Sequence, residues 1–132
     1  MKFTDGKKGN PKPNLVRPLK IEIRTGKWGY GVFATEDIEK GEILEEAPIL
    51  IDKIPWKADC MRNYRFSGWD TLRKERCHRM PGGMMIFVNH SEEPNAIIGQ
   101  DYDWERLARL QSTKPIAKGE ELFWNYGYTP KG

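Results

Sequence analysis

The stretch Phe87-Val88-Asn89-His90-Ser91-Glu92-Glu93-Pro94-Asn95 decides how the chain is read. A short apolar run ends abruptly in three side chains that need hydrogen-bond partners, and Pro94-Asn95 then turns the chain. The run starts upstream at Met84-Met85-Ile86, after the break Pro81-Gly82-Gly83, and has the pattern of a buried strand. On these residues alone His90 reads as a satisfied core group and Asn95 as a structural capping residue.

Outward toward the N-terminus, Ile21-Glu22-Ile23-Arg24-Thr25 alternates apolar and polar residues at the period of a strand. The alternation stops at Gly26-Lys27-Trp28-Gly29-Tyr30-Gly31 and resumes as strand at Val32-Phe33-Ala34. Glycines at this density mark a turn that brings backbone close to something. The turn is no dinucleotide fingerprint, because no further glycine opens a helix and Val32-Phe33 continues extended. Tyr30 and the flanking amides fit a lip over a flat ligand.

Ile38-Glu39-Lys40-Gly41-Glu42 leads into a strand at Ile43 to Ile51, with Pro48 expected at an edge or bulge. The same phrase returns as Ile116-Ala117-Lys118-Gly119-Glu120 ahead of Leu122-Phe123-Trp124. It is too short to count as an internal repeat and reads as shared turn chemistry, with glycine at the positive-φ corner. Ala58 to Arg65 suits a short helix, Arg73-Lys74-Glu75-Arg76 a solvated turn or helix, and Leu107 to Gln111 a strand. The whole predicts a mainly β domain.

With 132 residues, 38% of them hydrophobic and 31% charged, the chain has the size and composition of one globular domain. No apolar run approaches the roughly 20 residues of a membrane span, so no membrane partner is expected. Met1-Lys2-Phe3-Thr4-Asp5-Gly6-Lys7-Lys8 lacks the apolar centre of a secretory signal, and Cys60 and Cys77 are the only cysteines. An intracellular, reducing compartment, cytoplasm or nucleus, is the expectation. The basic excess is confined to residues 1–20, a Pro/Gly-rich leader expected to be flexible, with the domain proper over 21–132. The rest is mildly acidic, which suits a basic partner; no specific nucleic acid is expected.

Cys60, Cys77, His78 and His90 show no metal-binding spacing, so no metal is expected. A serine nucleophile elbow and a phosphate-binding loop are both missing.

Four motifs occur in order: Gly29-Tyr30-Gly31-Val32-Phe33-Ala34; Ile38-Glu39-Lys40-Gly41-Glu42; Asn89-His90-Ser91-Glu92-Glu93-Pro94-Asn95; and Lys118-Gly119-Glu120-Glu121-Leu122 through Asn125-Tyr126-Gly127. Across roughly residues 21 to 128 they resemble the SET domain of protein-lysine N-methyltransferases. The resemblance implies several short twisted β-sheets, few short helices, and a C-terminal segment threaded under a preceding loop as a pseudoknot. It implies S-adenosyl-L-methionine as cofactor, held by Lys27, Trp28, Gly29, Tyr30, Gly31, Tyr64, Asn89, His90 and Tyr126. Tyr126 would be the catalytic residue, and Tyr64, Trp124 and Tyr128 would wall a lysine channel.

The implied partner is a protein presenting a lysine, with a histone tail among the candidates. No zinc-binding segment of the kind that follows many members comes after Tyr126, a brevity that resembles the small viral and bacterial ones, and a partner subunit as in a homodimer, a longer native C-terminus or the substrate itself is expected to cover the site. Trp124 occupies a position that is often Phe or Tyr in the family, and its bulk suggests mono-methylation. The alternative reading is a catalytically silent module of the same fold that binds a peptide or protein.

Overall fold

A computed structural model describes residues 14–55, 66–70, 74–101 and 106–127 of the chain. In chain order the strands are β1 (Ile21–Gly26), β2 (Gly29–Ala34), β3 (Ile43–Pro55), β4 (Phe66–Asp70), β5 (Glu75–Pro81), β6 (Asn89–His90), β7 (Ala96–Asp101), β8 (Leu107–Ser112) and β9 (Phe123–Trp124). They make a β1-β2 hairpin, a five-stranded sheet ordered β4-β5-β3-β8-β7, and a two-stranded β6-β9 pair. Strands dominate and the sheets are short, as the sequence predicts.

The β1-β2 hairpin runs antiparallel from Ile21 opposite Ala34 to Gly26 opposite Gly29. Its alternation turns Ile21, Val32 and Ala34 into a core they share with Leu110 of β8, Ile116 and Leu122. Leu110, Ile116 and Leu122 have essentially no solvent exposure. Each such side chain contributes roughly 1.5–3 kcal/mol by leaving water.

The twin phrases noticed in the sequence meet in space. Ile38 and Ile116 exchange both backbone hydrogen bonds, at 2.8 and 2.9 Å. Each phrase closes on its own glutamate: Glu39 N–H donates to Glu42 Oε2 at 2.6 Å, and Ala117 N–H donates to Glu120 Oε1 at 3.0 Å. Gly41 and Gly119 supply the corners at φ 87° and 90°. Shared turn chemistry thus builds two like-shaped corners that pin the front and back of the chain together.

β3 is the middle strand of the large sheet, so Pro48 is not at an edge. It sits where β3 leaves β8, paired from Ile43 to Pro48, and takes up β5, paired from Ile49 to Pro55. The proline's missing N–H falls at the seam between two ladders, next to a register shift between Ile49 and Ile51. Upstream of β1 the chain already touches the body, because Val16 exchanges two hydrogen bonds with Glu46, through the Glu46 carboxylate at 3.0 Å and backbone N–H at 2.9 Å.

Two expectations are corrected. The run Met84 to Val88 is not a strand; Met84–Phe87 forms one 3-10 turn, with Met85 and Val88 in the core. The cause is Glu45 on β3, whose buried carboxylate accepts the N–H groups of Met84 at 2.9 Å and Met85 at 2.8 Å. Two adjacent donors converging on one carboxylate start a helical turn and leave no donors for a ladder. Gly83, at φ 90°, is required there, since an added Cβ would lie 2.8 Å from a Glu45 oxygen.

The second correction concerns Glu75 and Arg76, part of a stretch expected as a solvated turn or helix, in which Lys74 is the exposed turn. Lys74 turns the chain at φ 54° and Glu75 already opens β5, opposite Asp70 of β4. A hairpin partner on β4 captures these residues before a helix can form. The helix expected over Ala58 to Arg65 lies outside the described residues.

Burial holds the Glu45 carboxyl above its ordinary value of 4.5, against the opposing pull of its two N–H donors. A raised folded-state value means that the folded chain holds this proton more tightly than the unfolded chain. Its contribution to stability is therefore full below pH 4.5 and is lost as pH rises through the folded value. In urea titrations, the stability of wild type relative to Glu45→Gln should fall as pH is raised from below 4.5 to neutral. At pH 7, Glu45→Ala should cost about 1–3 kcal/mol by orphaning two N–H groups.

Candidate functional site

The site is built where the 3-10 turn runs out. Val88 is extended, β6 follows, and Asn89 and His90 pair in parallel with Phe123 and Trp124 of β9. Two residues a side cannot hold such a pair alone. The side chain of Asn95 does so instead: its Nδ2 donates to Glu121 O at 3.0 Å and its Oδ1 accepts Phe123 N–H at 2.8 Å. Its backbone N–H adds a bond to Phe123 O at 3.2 Å, and Ser91 N–H bonds Trp124 O at 3.1 Å. Asn95 is therefore more than a turn cap. On the other side Leu122 N–H reaches Val32 O at 2.8 Å, so residues 121–124 pass between β2 and the Ser91–Asn95 loop, the threaded arrangement the resemblance implies.

This thread delivers Tyr126. The Tyr126 backbone N–H donates to His90 Nδ1 at 3.0 Å, and the two rings meet edge to face with centroids 5.1 Å apart. The Tyr126 hydroxyl donates to Val88 O at 2.8 Å, and the Trp124 ring lies 5.5 Å from the Tyr126 ring. Because His90 Nδ1 accepts, the imidazole proton sits on Nε2, which is buried with no hydrogen-bond partner among the described residues.

Trp28, Gly29, Tyr30, Ile86, Phe87, Asn89 and Tyr126 line one pocket of about 290 Å³. Trp28 and Tyr30 are 62% and 64% exposed, large apolar faces left in water at its rim, with the Tyr30 ring edge-on to Phe87 at 6.5 Å. Asn89 Nδ2 donates twice, to Tyr30 O at 3.1 Å and to Glu121 Oε2 at 2.8 Å.

Of the residues singled out from sequence, the structure thus brings Trp28, Gly29, Tyr30, Asn89 and Tyr126 to one pocket. Lys27 is beside it, its ammonium 5.0 Å from the Trp28 ring. Gly31, His90 and Trp124 stand behind the lining: Gly31 under the Glu121 carboxylate, His90 against Tyr126, Trp124 against the core and Tyr126. Tyr64 and Tyr128 lie outside the described residues. Sequence reasoning missed Ile86 and Phe87, whose apolar character was assigned to a buried strand, and gave no role to Glu121. A signal for Glu121 existed in its place one residue before the fully buried Leu122, where strand alternation directs a polar side chain to the opposite face.

Residues 29–127 match the family model described as the SET domain. The histone-lysine N-methyltransferase ASHH3 of Arabidopsis thaliana is 29% identical over 140 residues, covering 96% of this chain and 38% of that protein. A histone-lysine N-methyltransferase of Debaryomyces hansenii, named as H3 lysine-36 specific, is 30% identical over 115 residues, covering 79% of this chain and 15% of that protein. The chain therefore spans well under half the length of these curated relatives. A crystal structure of a Plasmodium falciparum protein, named as a candidate histone methyltransferase, superposes with a TM-score of 0.62 at 27% identity, covering 83% of this chain and 95% of that one.

Asn95→Ala removes both side-chain bonds to the thread and should cost about 1–3 kcal/mol. Hydrogen exchange read residue by residue should show the Phe123 amide losing protection well beyond the change at Leu122, which bonds Val32 instead.

Proposed function

The chain belongs to the SET-domain family, and on that premise we propose that it transfers a methyl group from S-adenosylmethionine to the side-chain amine of a lysine in a protein. The observation that carries the proposal is the Tyr126 hydroxyl, fixed on Val88 O at 2.8 Å, in a pocket shared with Trp28, Tyr30 and Asn89.

The residues present fit the cofactor chemically. Trp28 and Tyr30 offer exposed aromatic faces to a flat base, Gly29 leaves its backbone approachable, and Asn89 offers polar contact. When bound, S-adenosylmethionine supplies a methyl group already activated on a sulfonium. What remains for the protein is alignment, exclusion of water and delivery of a neutral amine, rather than a nucleophile of its own.

A free lysine with a pKa of about 10.4 is neutral in only about one part in a thousand near neutral pH, a deficit of roughly 4 kcal/mol. Aromatic walls lower that value by withholding water from the ammonium form, and a neighbouring positive charge lowers it further. We assign the walls to Tyr126 and Trp124, with Tyr64 and Tyr128 as further members. Donation to Val88 O fixes where the Tyr126 hydroxyl oxygen stands, and we assign that oxygen to an N–H of the incoming amine, a contact that aims the nitrogen lone pair. Tyr126 orients the amine and does not need to act as a base; the amine proton leaves to water before transfer.

For the substrate we propose a basic protein segment, with histone tails first among candidates. The mildly acidic body of the chain favours such a partner, and relatives named as histone H3 lysine-36 specific agree with it.

Labelled S-adenosylmethionine with mixed histones should give label on lysine; absence of transfer to any basic protein would overturn the proposal. Tyr126→Phe should lower kcat at least tenfold while changing cofactor affinity by less than threefold, since the lost hydroxyl faces the amine. Trp124→Phe, which gives the amine more room, should shift product from mono- toward di- and trimethyl-lysine in mass spectra.

A further inference from the structure

We propose that Glu121 is a positioning residue: its carboxylate locks the Asn89 amide with oxygen Oδ1 as the pocket's acceptor for the cationic amino group of the cofactor's methionine portion. The inference rests on the cofactor reading above and adds to it a residue outside the pocket lining.

Amide nitrogen and oxygen are distinguished here by chemistry alone. The two partners of the Asn89 amide end, Tyr30 O and Glu121 Oε2, can only accept, so the NH₂ group must face both. Both amide protons are then used, and Oδ1 accepts no hydrogen bond among the described residues. Asn89 lines the pocket, and Oδ1 is the polar atom it has left to offer. Such an atom recognises a donor. The carboxylate 2.8 Å behind the amide polarises it toward greater negative charge on Oδ1, which favours a cationic donor over a neutral one.

The surroundings are shaped for this carboxylate. At Gly31 an added Cβ would collide with Glu121 Oε2 and stand 3.1 Å from Asn89 Nδ2. At Gly26 it would lie 3.5 Å from Glu121 Oε1 and 2.8 Å from the Phe33 ring. Gly31 thus clears the space through which Glu121, anchored opposite Phe33 by a backbone bridge, reaches the amide, while Gly26 makes room for the Phe33 ring. S-adenosylmethionine carries one cationic amine, on its amino-acid portion, while its adenosine donors are neutral. The lock therefore acts on the amino-acid portion.

Calorimetry with two ligands tests this. S-adenosylhomocysteine carries the amino-acid portion and 5′-methylthioadenosine lacks it, and both carry adenosine. Wild type should prefer S-adenosylhomocysteine. Glu121→Ala should reduce that preference about tenfold, by weakening S-adenosylhomocysteine alone, as expected for one misdirected hydrogen bond to a charged group. Glu121→Gln, which keeps an acceptor oxygen without the charge, should fall between. In an Asn89→Ala background, Glu121→Ala should change the preference no further. Because the readout is a ratio within one sample, partial unfolding cancels from it. Equal loss of both ligands in Glu121→Ala, or no loss of either, overturns the positioning role. Failure of wild type to bind either ligand overturns the cofactor reading, and this inference with it.

Discussion

Residues 121–126 become a functional site only by docking between β2 and the Ser91–Asn95 loop, and the rest of the structure is arranged to hold them there. Leu122, fully buried, supplies the apolar anchor. Asn95 supplies direction, because its one amide both donates to Glu121 O and accepts from Phe123. These bonds join positions 26 and 28 apart in sequence, and the thread's bond to Val32 spans far more of the chain. Closing such loops costs entropy before any contact repays it. A parallel pair of two-residue strands repays little by itself, so the core under Leu122 and the Asn95 clamp must form together with it. Tyr126 is consequently at the pocket only when the last part of the fold is complete, and integrity of the site is tied to the least local contacts in the molecule.

Much of this was legible in the sequence, for reasons that can be assigned. Period-two alternation marked β1, and the Gly-rich turn marked its hairpin, because there local pattern and tertiary burial agree. The twin Lys-Gly-Glu corners were legible because a positive-φ glycine and a self-capping glutamate are local chemistry; that they bond to each other was not. Asn89-His90-Ser91 stood out as polar residues ending an apolar run, and four of its hydrogen bonds indeed go to the thread and to Tyr30. Met84 to Val88 misled because a short apolar run has the same pattern as strand or as buried turn, and Glu45, 39 residues earlier on β3, decides between them. Pro48 was half legible: of the edge or bulge that a proline signals, the edge is absent, but the strand changes partners at it and a register shift follows between Ile49 and Ile51. β7 is not legible as a strand, because its burial alternates only over Ala96 to Gly99 and the residues there, Ala96-Ile97-Ile98-Gly99, show no apolar-polar alternation.

The Glu45 and Glu121 arrangements follow one physical rule. In each a glycine removes the Cβ that would collide with a carboxylate, Gly83 for Glu45 and Gly31 for Glu121. The carboxylate accepts two N–H groups at Glu45 and one at Glu121, and thereby fixes the conformation of an element that lines the pocket: the turn carrying Ile86 and Phe87, and the side chain of Asn89. A carboxylate withdrawn from water is costly unless donors meet it. The raised proton affinity of Glu45 shows that two backbone donors offset that cost only in part. Holding the pocket wall at a defined position is what the residual cost obtains, so some stability is given up for placement.

That choice suits the proposed chemistry. A methyl transfer between two bound partners gains little from reactive side chains and much from distances that do not vary. The groups that fix the polar side chains of the pocket and of the clamp on the thread are mainly backbone atoms: Val88 O for the Tyr126 hydroxyl, Tyr30 O for Asn89, Glu121 O and Phe123 N–H for Asn95. Backbone partners are set by the fold and not by the identity of the residue that carries them. Val88 could change to any apolar side chain that keeps the turn and still present the same oxygen to Tyr126. The side chains that cannot be exchanged are therefore few, and they are those whose chemistry is used at both ends: Asn89, Asn95 and Glu121, each bridging two segments, and Tyr126, bridging the fold and the pocket.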